Sequence, residues 1–177
     1  QLLQIPGVQS VSFSSDVPSS DNNWGTNFFF DHGPGLNYTL YFKCADEDYF
    51  KTFGLQFAAG HGYSASDTMK DVVINETLVK KLGLKSDNDA IGKQIRMGAR
   101  DPWRTIVGVV KDFKTNSLRY EIKPTLIGPK KRFYSNTSIK IRSSNLVGTK
   151  EAILKTWDKY YPEYATTSYF MDESINN

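Results

Sequence analysis

The sequence predicts an α+β fold. Three observations lead there: short apolar runs with period-two alternation, one long helix-period stretch near the C-terminal end, and their order along the chain. Strands come in blocks broken by single helices, without the strict strand–helix alternation of a doubly wound sheet.

Gln1 to Ile5 reads as the last turn of a helix, stopped by Pro6-Gly7. Val8 to Ser14 alternates imperfectly and predicts a strand. Asp16 to Gly25, rich in Ser, Asn, Asp and Pro, predicts an exposed loop, and Thr26 to Asp31 a strand around Phe28-Phe29-Phe30. Gly33-Pro34-Gly35 turns the chain, after which Tyr38, Leu40, Phe42 and Cys44 alternate cleanly with polar partners. Asp46 is a natural N-cap, with Glu47 and Asp48 in the first turn of a short helix that Gly54 ends. Val72-Val73-Ile74 predicts a buried strand, and Asn75 caps a helix from Glu76 to Leu82 that Gly83 stops. Further strands are expected at Ala90–Ile95, Thr105–Asp112, Thr125–Ile127 and Ser138–Arg142. The long helix runs from Leu146 to Tyr161, with Leu146, Ile153, Leu154, Trp157 and Tyr161 on one stripe. Pro162 ends it, and Thr166 to Met171 predicts a last strand.

At 177 residues, 39% hydrophobic and 14% aromatic, the chain holds enough apolar surface for a folded core. The net charge of +3 is spread along the chain, and its densest cluster is only Lys130-Lys131-Arg132. That is too little for a nucleic-acid reader, which shows a one-sided basic patch or a known module. One cysteine, Cys44, leaves no disulfide framework and no cysteine zinc site. The longest wholly apolar run, 106–110, falls far short of the roughly 20 residues that span a bilayer. The chain starts without a Met and reads as a fragment excised from a longer protein.

Little here points to chemistry. His32 and His61 are the only histidines, and neither accompanies a G-x-S-x-G elbow. Gly60, Gly62, Gly108 and Gly128 form no phosphate-binding loop, so no nucleotide cofactor is expected; Gly108, inside its strand, predicts a bulge or a close backbone crossing. Asp46, Glu47 and Asp48 lack the alternating oxygen ligands and glycine turn of a hard-cation loop. No catalytic, cofactor or metal residue is therefore assigned. Asn37, Asn75 and Asn136 open N-x-Ser/Thr sequons, though Asn75 already serves as a helix cap. Trp24, Phe29 and Trp103 are the candidate partner contacts, since aromatics near polar loops make effective anchors.

The segment 105–127, TIVGVVKDFKTNSLRYEIKPTLI, joins an apolar β-run centred on Gly108 to Lys111-Asp112-Phe113, a polar turn at Lys114 to Ser117, an amphipathic piece from Leu118 to Ile122, and Pro124. It resembles the extracytoplasmic core domain of MacB/FtsX-like ABC-transporter permeases, especially the multi-helix permeases of Bacteroidetes. IPGVQSVSFSS (5–15), DYFKTFGLQFAAGHGYS (48–64), VVINETLVKKLGL (72–84) with AIGKQI (90–95), and WDKYYPEYATTSYFMDES (157–174) match the same family in the same order. One departure is His61, where the family has Arg, so no salt bridge is carried over to that position.

The resemblance implies a porter-like α/β lobe from residues 1–58 and 137–177, with an inserted, mostly β, sabre-like lobe at 59–136. It implies a place on the periplasmic face of the bacterial inner membrane. The partners would be the protein's own transmembrane helices, a cytoplasmic ATPase subunit, a periplasmic adaptor and a second copy in a homodimer, with no nucleic acid. The domain would couple ATP hydrolysis to conformational change, efflux or cargo handling outside the membrane, with no catalysis of its own. Two other classes stand beside it: a stand-alone extracytoplasmic ligand- or glycan-binding module, and a hydrolase using His32 or His61.

Overall fold

The computed structural model describes residues 1–20, 24–113 and 121–170. After a 3-10 turn at Leu2–Gln4, the chain forms β1 (Val8–Ser14), β2 (Trp24–Thr26), β3 (Phe28–Phe30) and β4 (Leu40–Cys44). Helix α1 (Tyr49–Phe53) leads to β5 (Phe57–Gly60) and β6 (Asp71–Asn75), which feeds directly into α2 (Glu76–Lys81). A 3-10 turn at Asp87–Ala90 precedes β7 (Gln94–Met97) and β8 (Arg104–Val110). Then come β9 (Thr125–Gly128), a 3-10 turn at Lys131–Phe133, β10 (Asn136–Ile141) and α3 (Leu146–Tyr160).

Eight strands form one mixed sheet in the order β2-β4-β9-β6-β8-β7-β3, with β5 also paired to β8. The β4–β9 and β6–β8 pairs are parallel and the other pairs antiparallel. The end strands β2 and β3 are separated in sequence only by Asn27, so one stretch of chain, 24–30, closes the sheet. Closure of this kind removes exposed edges, as in a barrel. The strands β1 and β10 pair as a separate two-stranded sheet.

The central strands are apolar because both their faces are covered. In β6, Val72 and Ile74 face a core with Phe28, Leu40, Leu78, Ile95, Ile106 and Leu126, whereas Val73 joins Tyr49, Phe50, Tyr63, Val110 and Ile127 in a second. All three β6 side chains are fully buried, worth about 1.5–3 kcal/mol each by transfer. Asn75, also fully buried, links the layers. Its Oδ1 accepts from the Leu78 N–H (3.1 Å) at the start of α2 and the Thr125 N–H (2.9 Å) on β9, and its Nδ2 donates to the Lys123 carbonyl (2.9 Å).

Gly108 is both a bulge and a crossing. Register shifts in the β6–β8 ladder between Val72 and Val73. Opposite Gly108 stands Gly60 of β5, and a Cβ on Gly108 would overlap the His61 carbonyl oxygen. Only glycine fits so close a backbone approach.

Several elements depart from expectation. The N-cap of α1 is Asp48, with no side-chain capping bond. Asp46 instead reaches back to β1, accepting from Ser12 Oγ and the Phe13 N–H, each at 2.7 Å; strand pairing wins over local capping. Residues 87–90 form a 3-10 turn because Ser86 and Asp89 make a capping box, which delays the strand to Gln94. Thr166 to Phe170 forms no strand. On α3 the expected stripe is half-buried at Ile153, Leu154 and Trp157 but exposed at Leu146 and Tyr161. Most of the polar turn and amphipathic piece predicted at 114–122 lies outside the described residues.

By contacts the chain divides into two compact units, Gln1–Gln9 with the stretch from Ile141 onward, and Ser10–Lys140. These boundaries differ from the lobes drawn at 58/59 and 136/137. The first of those positions lies inside β5, and strands from 24–44 and 57–128 share one sheet. In the first unit the Arg142 N–H donates to the Gly7 carbonyl (2.8 Å), and Asn145 caps α3 by accepting from the Gly148 N–H (3.0 Å).

Candidate interaction site

Trp24, Phe29 and Trp103 fall in two places. Phe29 on β3 stands directly opposite Arg96 of β7. The Arg96 guanidinium carbon lies 4.4 Å from the Phe29 ring centre and 4.7 Å from that of Trp103, so the cation is held between two aromatic faces. The His32 ring packs on Trp103 at 4.3 Å. Each cation–π contact is worth roughly 0.5–2 kcal/mol, depending on desolvation. The stack fastens the 98–103 loop to β3. Beside it, Lys93 bonds to Asp31 at 2.5 Å, and this hydrogen bond is the main reason the Asp31 carboxyl is held below its ordinary pKa.

Trp24 sits apart on β2, cross-strand from Phe42. Its ring meets Phe42 edge-on at 5.7 Å and Phe133 at 5.0 Å, and 37% of the residue is exposed. Next to this cluster a cleft of about 220 Å³ opens, lined by Phe42, Met69, Met97 and Phe133, with Thr26, Asp101, Lys130 and Arg132 completing its wall. The two cations lie over Phe133, Lys130 Nζ at 5.5 Å and the Arg132 guanidinium carbon at 4.6 Å from the ring centre. Asp101 is engaged by the buried Arg104 at 3.1 Å.

This wall is held firmly. The Lys131 N–H donates to Asp67 Oδ1 (2.6 Å), the Ser135 N–H to the Ser14 carbonyl (2.9 Å), and Asn136 Nδ2 to the Ser15 carbonyl (2.6 Å). Met69 adopts a left-handed backbone (φ 49°), which costs an L-residue about 1–2 kcal/mol, and its side chain packs where a Cβ on Gly128 would sit.

Both histidines have structural partners. His32 Nε2 pairs with Gln94 Oε1 and His61 Nδ1 with the Gly62 carbonyl, both at 2.8 Å. Cys44 is buried, and burial pushes its thiol pKa up to about 11. Half-burial raises the Asp46 carboxyl against the opposing pull of its hydrogen bonds from Ser12 and Phe13. Among the described residues no group of three His, Cys, Asp or Glu could hold a metal ion.

Sequence reasoning missed Arg96, Phe42 and Phe133, and recorded Lys130 and Arg132 only as local charge. The signal for Arg96 was its place in an alternating Gln-Ile-Arg-Met run with buried Ile95 and Met97, which puts Arg96 on the other face. Which aromatic meets that face depends on strand partners far away in sequence.

A family model described as the MacB-like periplasmic core domain matches residues 1–153. The periplasmic region of MacB from Actinobacillus actinomycetemcomitans is similar in fold, with a TM-score of 0.63 and 16% identity over 99% of this chain and 79% of that one. So is the extracellular domain of the noncanonic ABC-type transporter YknZ from Gram-positive bacteria, with a TM-score of 0.61 and 15% identity over 91% and 80% of the two chains. No curated protein sequence matches the chain.

Proposed function

Because this chain belongs to the MacB-like periplasmic core domain family, the extracytoplasmic domain of ABC-transporter permeases, we propose that it relays an ATP-driven conformational cycle across the membrane. ATP hydrolysis by a cytoplasmic ATPase subunit moves the permease's transmembrane helices, and this domain turns that motion into efflux or cargo handling outside. It performs no catalysis itself. The observation that carries the reading is the family match over residues 1–153, with the fold in agreement over nearly the whole chain. A mechanical role also gains support from one compact unit that draws on both ends of the chain, so force entering at either end meets in one place.

The same proposal keeps a porter-like lobe from the chain ends and a sabre-like lobe from the middle, and the discontinuous unit of Gln1–Gln9 with residues from 141 onward supports only the use of both chain ends in one unit. A homodimer and a periplasmic adaptor belong to the same proposal. So do partner contacts at Trp24, Phe29 and Trp103, with Trp24 the most accessible by its exposed ring. A stand-alone ligand- or glycan-binding module draws less support. The cleft beside Trp24, about 220 Å³, is smaller than the roughly 300–1,000 Å³ of typical ligand sites.

Two measurements test the relay. The gene should encode apolar stretches of about 20 residues on both sides of this chain; a soluble protein on both sides would end the proposal. In the reconstituted permease with its ATPase, spin labels on the two copies of this domain should change separation between nucleotide-free and ATP-trapped states. Unchanged distances would refute the coupling.

A further inference from the structure

We propose that the cleft beside Trp24 docks a partner protein through an acidic segment carrying one aromatic or large aliphatic anchor side chain. The inference concerns this chain's own surface and holds whatever the parent machine transports.

Volume decides what kind of occupant fits. The cleft measures about 220 Å³. An apolar cavity of about 150 Å³ accommodates benzene, so this one takes a single phenyl or leucyl group with little to spare. A free small molecule of ordinary size would leave most of its surface in water, whereas one anchor side chain on a protein segment is fully served.

The lining suits an anchor. Phe42, Met69, Met97 and Phe133 supply apolar contact, and methionine adapts its shape to the guest. Trp24 stands edge-on against Phe42 and Phe133 with its ring partly in solvent, ready to cover the flank of an incoming chain. Trp, Phe, Met and Arg are the residue types enriched where interfaces concentrate their energy.

Charge decides what surrounds the anchor. Lys130 and Arg132 flank the opening, and neither has an acidic partner among the described residues. The one carboxylate of the wall, Asp101, is already neutralised by Arg104. The Asp67 carboxylate, bonded to the Lys131 N–H, is outnumbered on this turn by Lys130, Lys131 and Arg132, so the opening carries net positive charge over an apolar floor, complementary to Asp or Glu on either side of the anchor. The hydrogen bonds of Lys131 to Asp67 and of Asn136 to Ser15 hold the cationic turn in place before binding, which lowers the ordering cost.

The test uses the 177-residue chain and the synthetic peptide acetyl-Asp-Glu-Phe-Asp-Glu-amide, followed by the Trp24 indole N–H resonance in a nitrogen-15 spectrum. Saturable shifts of Trp24 and Met97 with a dissociation constant below about 1 mM are expected. Replacing the peptide's Phe by Ala, or raising salt from 50 to 500 mM, should each weaken binding at least fivefold. The double variant Lys130→Glu/Arg132→Glu changes one half-buried and one exposed side chain, both over the Phe133 ring, and should keep the wild-type spectrum outside this turn. It should lose the acidic peptide at least tenfold and gain acetyl-Lys-Lys-Phe-Lys-Lys-amide. Absence of shifts at Trp24, affinity indifferent to the anchor or to charge reversal, or equal competition by free phenylacetate would each overturn the proposal. The last outcome would assign the cleft to a small carboxylate instead.

Discussion

Replacing Gly108 with alanine tests the central crossing of the sheet, because there the cost is steric and not conformational. The Gly108 backbone lies outside the left-handed region, so alanine suffers no φ penalty. Its new methyl would overlap the His61 carbonyl oxygen and come within 2.9 Å of Phe57 Cε1. A ring can tilt away, but the carbonyl belongs to a chain fixed by the His61 N–H bond to the Val107 carbonyl at 3.1 Å. Relief therefore requires β5 to move off β8. Overpacking of this kind costs about 1–3 kcal/mol, with the upper end apt when backbone must give. Loss of the His61 bond adds about 0.5–1.5 kcal/mol. The entropic benefit of alanine in the unfolded chain returns about 0.4–1 kcal/mol. The net loss is about 3 kcal/mol, or roughly 6–12 °C in Tm for a domain of this size.

Gly54→Ala is the matched control. It has a left-handed φ of 67° and nothing within 4 Å of its added methyl, so it incurs strain alone, about 1–2 kcal/mol. Thermal and urea unfolding followed by circular dichroism, with the m-value checked for constancy, gives both numbers. If Gly108→Ala loses no more than Gly54→Ala, the close crossing is not what selects glycine there.

Asn75→Ala removes a helix cap, at about 1 kcal/mol, and orphans the buried Thr125 N–H at about 1–3 kcal/mol, while the Lys123 carbonyl keeps its bond from Thr125 Oγ1 (2.9 Å). A loss of about 2–4 kcal/mol in urea unfolding is expected, and a loss under about 1 would contradict the bridging role. Burial raises the Asp46 carboxyl pKa above its ordinary value of 3.8, so its protonated form is the one folding favours. Its contribution is fully present below the unfolded pKa and is lost as pH rises through the folded one. The stability of wild type relative to Asp46→Asn should fall as pH climbs from below 3.8 through the raised value and then level off; a difference that grows with pH over that window would reverse the assignment. Cys44, 1% exposed with a pKa near 11, should react with an aromatic disulfide reagent at pH 8 at least 100-fold slower in the native chain than in urea. Comparable rates would place the thiol near solvent.

The sequence by itself determined the α+β class, most of the strands, the Asn75 cap, the long helix and the crowding at Gly108. These are signals carried within a few residues: alternation, helical period, a capping side chain, a glycine inside an apolar run. It also named Trp24 as a candidate contact, though it put that residue in the Asp16 to Gly25 loop, whereas the structure places it in β2. Only the tertiary structure decided that 24–30 closes the sheet, that Phe29 and Trp103 grip Arg96, and that Trp24, Phe42 and Phe133 stand beside a cationic turn. Asp46 shows the same division, with a local capping signature overruled by Ser12 and Phe13 more than thirty residues earlier. The reason is one of range: periodicity is written locally, whereas strand partners and register are selected by the burial of whole faces against distant segments.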